Sequence, residues 1–65
     1  MDYLSLQKRL KNAVDRVGLK ANSISRKTGI DTASLSRFKN GKGVLSRREA
    51  ETLEKYLDDF FMISL

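Results

Sequence analysis

Arg26, Lys27, Arg37, Lys39 and Lys42 fall within one short stretch in which Asp31 is the only acid. Cations at that density suit a polyanion: Arg offers a planar fork of donors that matches phosphate or a base edge, and Lys a mobile point charge. The bias extends over residues 1–48, where twelve Lys or Arg stand against Asp2, Asp15 and Asp31, a net of +9. Residues 49–65 reverse it, with Lys55 alone against Glu49, Glu51, Glu54, Asp58 and Asp59, a net of −4. A basic body with an acidic end implies one surface for a polyanion and another turned away from it. Lys and Arg that merely solvate helix faces would give the same totals, so the pattern of the other residues has to decide.

Catalysis finds little to work with. The chain has no His and no Cys, hence no soft metal ligand, no thiol nucleophile and no imidazole base, and it carries neither a phosphate-cradling Gly-rich loop nor a pair of carboxylates set for acid–base work. Neither an enzyme nor a metal or other cofactor is expected. The lack of Cys fits a reducing compartment, no apolar run approaches the roughly eighteen residues that span a bilayer, and the N-terminus lacks the basic-then-apolar pattern of a signal peptide. A cytoplasmic location, bacterial cytoplasm or nucleoid, is the expectation.

Positioning these cations falls to helices. Pro is absent, Gly is sparse, and Leu, Lys, Arg, Ser and Glu are frequent, which favours an all-α chain, and 65 residues allow a single domain over 1–65. Leu6, Leu10, Ala13, Val14 and Val17 line one face of a first helix between Ser5 and Val17, ended by Gly18 with Leu19 folding back. A short second helix, roughly Ala21–Thr28, is centred on Ile24 and stops at Gly29. Asp31 caps a third, whose inward edge is Leu35 and Phe38; Asn40 and Gly41 end it, both types tolerating positive φ. Ser46-Arg47-Arg48-Glu49 is a capping box that opens a fourth helix with Leu53, Tyr56, Leu57 and Phe60 inward, and Leu45 with Ala50 as a weak staple.

Two short helices around a Gly-containing turn, with Ile24, Ile30, Leu35 and Phe38 pinning them down and small Ser25 allowing close approach, form a helix-turn-helix unit over about 21–40. The stretch LKANSISRKTGIDTASLSRFKNGK, Leu19 to Lys42, resembles the Cro and lambda-repressor-like (XRE) helix-turn-helix family. Gly29 followed by Ile30, Leu35 and Phe38 at the right offsets, and the Asn40-Gly41-Lys42 exit, carry the likeness, which extends over about the whole chain once the flanking helices are included. It implies a compact four-to-five-helix bundle of the lambda-repressor-like type acting as a sequence-specific DNA-binding regulator. A phage, prophage or other mobile-element repressor, or an antitoxin-like autoregulator, fits equally.

The resemblance further implies that Thr32, Ala33, Ser36 and Arg37 read bases. Their chemistry suits that role, since Arg37 can grip a guanine with two donors, the Thr32 and Ser36 hydroxyls donate or accept, and the Ala33 methyl can meet that of thymine. Ser34 is left between a phosphate and the core edge. Phosphate contacts are expected from Lys20, Asn22, Ser23, Asn40, Lys42, Gly43, Arg47 and Arg48, around the start of the second helix and the loop after the third. Local roles compete at Asn40 and Ser46, which can simply end one helix and cap another. Two departures stand out: Ala21 replaces a phosphate-contacting Gln, and Lys20 replaces a capping Ser, Thr or Asn, so either the cap moves to Asn22 or Lys20 itself meets phosphate. Val14 and Lys39 stand where some relatives keep a buried Arg–Glu pair, which cannot form here.

Phe60, Phe61, Met62, Ile63 and Leu65 are more apolar bulk than so small a core should need. A homodimer through the 60–65 tail on a palindromic site is the first expectation, and closure of the chain's own core by Phe60 and Phe61 the competing one. An adaptor that keeps the fold and binds protein instead of DNA is the main rival function. A membrane-surface role for the basic first helix would take the apolar face its core needs.

Overall fold

The computed structural model describes residues 2–63. Asp2 starts the first helix. Its carboxylate accepts from the Leu4 N–H at 3.0 Å and from the Ser5 hydroxyl at 2.9 Å, so one of the backbone donors that a helix N-terminus leaves without an intrahelical partner is satisfied. Helix α1 (Tyr3–Asn12) therefore begins two residues ahead of the Ser5 boundary that the apolar stripe indicates. The Ser5 hydroxyl above all, with backbone donors of Ser5 and Leu4, holds the Asp2 carboxyl below its ordinary value, because these bonds favour the charged form.

α1 does not continue as an α-helix to Val17. It widens into a π-helical turn over Ala13–Val17 and stops at Gly18, whose φ of +93° suits a residue without a Cβ. A π turn bonds each carbonyl one residue further on than an α turn and so displaces the register of the residues after it. Leu6, Leu10 and Ala13 are buried as the stripe requires and Val14 is half-buried, but Val17, expected inward, is 47% exposed. The next apolar residue compensates: the Leu19 N–H donates to the Ala13 carbonyl at 2.9 Å and its side chain packs on the core.

α2 (Ala21–Thr28) and α3 (Thr32–Lys39) are eight residues each, too short to hold as isolated helices. The turn between them is stitched by Thr28, whose hydroxyl donates to the Ile24 carbonyl at 2.7 Å and accepts from the Ile30 N–H at 3.2 Å. Asp31 caps α3, accepting from the Ala33 N–H at 3.1 Å. At the far end only Gly41 takes the left-handed conformation, with φ +75°. Asn40, which shares Gly41's tolerance of positive φ, stays at φ −89°, since one left-handed residue suffices to turn the chain out of the helix.

The capping box forms in full ahead of α4 (Arg47–Ile63): the Glu49 N–H donates to Ser46 Oγ at 3.1 Å and the Ser46 N–H to Glu49 Oε1 at 2.9 Å. α1 packs on α3 and α4, and α2 on the same two helices. One apolar cluster results, with Leu6, Leu10, Ile24, Ile30, Leu35, Leu53 and Leu57 almost wholly enclosed and Ala13, Phe38, Leu45 and Ala50 beside them. Each large aliphatic side chain in it contributes about 1.5–3 kcal/mol relative to exposure. The chain is thus a small all-α bundle, with no strand among the described residues, and none of the described helices is long and apolar enough to cross a membrane.

Candidate nucleic-acid interface

Burying Leu35 and Phe38 fixes which edge of α3 faces out. Ala33, Ser36 and Arg37 are exposed and Thr32 is half-buried; with spacings of three and four they share one side of the helix. The Thr32 hydroxyl lies 3.5 Å from Asn22 Oδ1, so a residue expected to read bases and one expected to meet phosphate touch across the α2–α3 angle. Ser34 is half-buried at the side of this edge.

Three contacts hold α3 at its C-terminal end. Gln7 of α1 donates from Nε2 to the Lys39 carbonyl at 3.2 Å. Lys39 Nζ meets Asp15 Oδ1 at 3.3 Å, so the π turn that follows α1 is joined to α3 by an ion pair next to the Val14 position. The loop then folds back: the Lys42 N–H donates to the Arg37 carbonyl at 2.8 Å, and Gly43 lies so close that a Cβ there would fall 2.9 Å from Arg37 Cβ. Gly43 therefore supports the stem of Arg37, a role its type alone does not reveal. Gln7 and Asp15 also escape sequence reasoning. A polar residue bordering an apolar stripe is the only signal of the first, and the second depends on the π turn.

Around the other end of α3, α2 begins at Ala21 with Lys20 in the N-cap position and no side-chain cap. The helix is not shortened by a cap at Asn22, one of the two sequence alternatives, because the Ser23 and Ile24 N–H groups already bond the Lys20 carbonyl at 3.0 and 3.1 Å. The N-terminus of α2 thus keeps first-turn N–H groups that no side chain satisfies, a favourable setting for an anion. Lys20, Asn22, Asn40, Lys42 and Arg48 are exposed, and Ser23 and Gly43 half-buried. Arg47 is also exposed but meets Glu51 at 3.4 Å and shares a groove with Tyr3, Glu51 and Glu54, an acidic neighbourhood that sets it apart from the others.

The carboxylates explain the charge at this surface. Asp2, Asp31 and Glu49 cap helices; Asp15, Glu51, Asp58 and Asp59 pair with Lys39, Arg47, Arg9 and Lys55. Among the described residues Lys8, Lys11, Arg16, Lys20, Arg26, Lys27, Arg37, Lys42 and Arg48 enter no ion pair. Most of the positive charge on α1, α2 and α3 is therefore available to an outside partner. Among the described residues no three His, Cys, Asp or Glu side chains come together as a metal-binding group.

The apolar tail is visible in part. Phe61 packs partly on the core, and Phe60 stacks on Tyr56 with centroids 6.4 Å apart and meets Phe61 edge-on at 5.4 Å. The Met62 and Ile63 side chains and all of Leu65 lie outside the described residues. No family model, curated protein or solved structure matches the chain.

Proposed function

We propose that the chain is a sequence-specific double-stranded DNA-binding regulator of the phage or mobile-element repressor kind, acting in the cytoplasm as a homodimer on a palindromic operator. One observation carries it: α3 turns Ala33, Ser36 and Arg37 outward, and of the cations on α2, α3 and the following loop only Lys39 is paired with a carboxylate. In this reading the outward edge of α3 enters the major groove. Arg37 grips a guanine, Thr32, Ala33 and Ser36 read neighbouring bases, and the uncapped start of α2 with Lys20, Asn22 and Ser23 holds one stretch of phosphate while Asn40, Lys42 and Gly43 hold another. Arg48 joins the phosphate contacts, and Arg47 does so once it leaves Glu51. Pairing through the tail would set two recognition helices about 34 Å apart, one DNA turn.

Selection of bound duplexes from a random pool tests the reading, and a two-fold symmetric motif is the expected result. On that motif Arg37→Ala should cost about 1–3 kcal/mol and much less on scrambled DNA, whereas Lys42→Ala should weaken both alike and lower the salt slope by about one. Equal loss on every sequence for Arg37→Ala would make it a backbone contact. A second reading, an adaptor that binds protein, is favoured by Tyr3, Leu4 and Val44, which stand exposed around one groove floored by Phe38 and Leu45. Absence of any enriched motif would favour it.

A further inference from the structure

α1 carries cations on two sides, and only one side is engaged. Arg9 reaches across to α4 and pairs with Asp58 at 2.7 Å. Lys8, Lys11 and Arg16 line a shallow groove together with Asn12 and Asp15 and have no carboxylate partner. The one acid in that groove is already neutralised, since Asp15 pairs with Lys39 at the end of α3.

That pair also makes the groove continuous with the recognition surface. Lys39 and Ser36 border one small, largely apolar cavity with Val14 of the π turn and Ala21 at the start of α2. A path over the surface therefore runs from Ser36 past Lys39 and Asp15 into the groove of Lys8, Lys11 and Arg16. From Lys8 to Arg16 the axis extends roughly 10 Å, at about 1.5 Å per residue through α1 and less through the wider π turn, enough to meet more than one phosphate.

Resting on the DNA-binding reading, we infer that the Lys8–Lys11–Arg16 groove is a second backbone-binding track, which takes the phosphates of the same duplex just outside the half-site read by α3. Lys8, Lys11 and Arg16 supply the charge, and the Asn12 amide can donate to a phosphate oxygen. Such contacts carry no base information, so they add affinity and footprint without specificity.

The test compares two duplexes carrying the same selected motif, one trimmed at its edges and one longer by about one turn, ten base pairs, on each side. The full chain should bind the longer duplex about tenfold more tightly at low salt, since two or three added phosphate contacts act through counterion release. Replacing Lys8, Lys11 and Arg16 together by Gln should abolish that gain. It should also lower the salt slope on the long duplex by about 0.9 per lost contact, and leave the short duplex bound within twofold. A charge-preserving variant, Lys8→Arg with Lys11→Arg and Arg16→Lys, should keep the gain, which separates lost charge from lost folding. An equal gain for the Gln variant, or no gain for the parent, overturns the inference and leaves the DNA-binding reading standing. If the parent binds neither duplex, both fall.

Discussion

α3 and α4 both sit on the core, but their surface side chains are used differently. α4 is seventeen residues long and, besides its core seat at Ala50, Leu53 and Leu57 and the tie from Asp58 to Arg9, commits its surface to itself: a capping box opens it, and Arg47–Glu51 and Lys55–Asp59 pair along its length. α3 has eight residues and, apart from the Asp31 cap, depends on neighbours: Gln7 from α1, Asp15 from the π turn, the returning loop at Gly43, and a core seat for Leu35 and Phe38. A helix that secures itself with its surface side chains has few left for a partner. One fixed from behind and at its end keeps its outer edge uncommitted, as the proposed reading of DNA by α3 requires. Rigidity from elsewhere lowers the ordering cost that a bare eight-residue helix would meet on binding.

The largest effect that bears on this contrast should come from Leu35→Ala, at about 2–5 kcal/mol by loss of burial and a residual cavity. Denaturant unfolding measures it; a loss well under 1 kcal/mol would mean that α3 does not depend on its core seat. Next comes Gly43→Ala, where the new methyl has to displace Arg37 Cβ or the loop, for about 1–3 kcal/mol by analogy with overpacking. In the same variant any DNA affinity that rests on Arg37 should drop by more than stability alone explains. Ser46→Ala should cost about 0.5–2 kcal/mol and raise amide exchange in the first turn of α4 while α3 amides keep their protection, the converse of Leu35→Ala. Smallest is the pH effect at Asp2. Its carboxyl is held below the ordinary value of 3.8, so its contribution is full above that pH and is lost as pH falls through the lowered value. Asp2→Asn keeps a capping oxygen and should flatten this acid limb of a melting titration; an unchanged limb would assign it to other carboxylates.

The elements are legible in the sequence because their signals are local. Asp31, Gly29 and the Ser46–Glu49 box each act within a few residues of where they stand; Gly29 marks the end of Ala21–Thr28, while its start, open between Lys20 and Asn22 in the sequence, is placed by the structure. The features that escape it depend on geometry between elements. A 3.6-residue spacing puts Val17 inward, and a change of helical period inside one helix leaves no local mark in AVDRV. The tie from Gln7 to Lys39 spans 32 positions in the chain. The support that Gly43 gives Arg37 arises only once the loop has folded back, and the free state of Arg37 and Lys42 depends on where each carboxylate ends up. Types and offsets mark the outward residues of α3; their freedom from internal partners emerges only in the packed structure.

The wide turn at Ala13–Val17 has one more consequence, for changes in chain length. A π turn is an α-helix that has absorbed an extra residue, and here it does so between two fixed points, the Leu10 seat in the core and the left-handed Gly18. Removing one of Asp15, Arg16 or Val17 should let the segment close as an ordinary α-helix, with α1 before it and Gly18 after it keeping their places. The bundle should therefore tolerate a one-residue deletion at that point without re-threading, and deletion of Val17 is the mildest form of the change, because it removes neither the Asp15 partner of Lys39 nor the Arg16 cation.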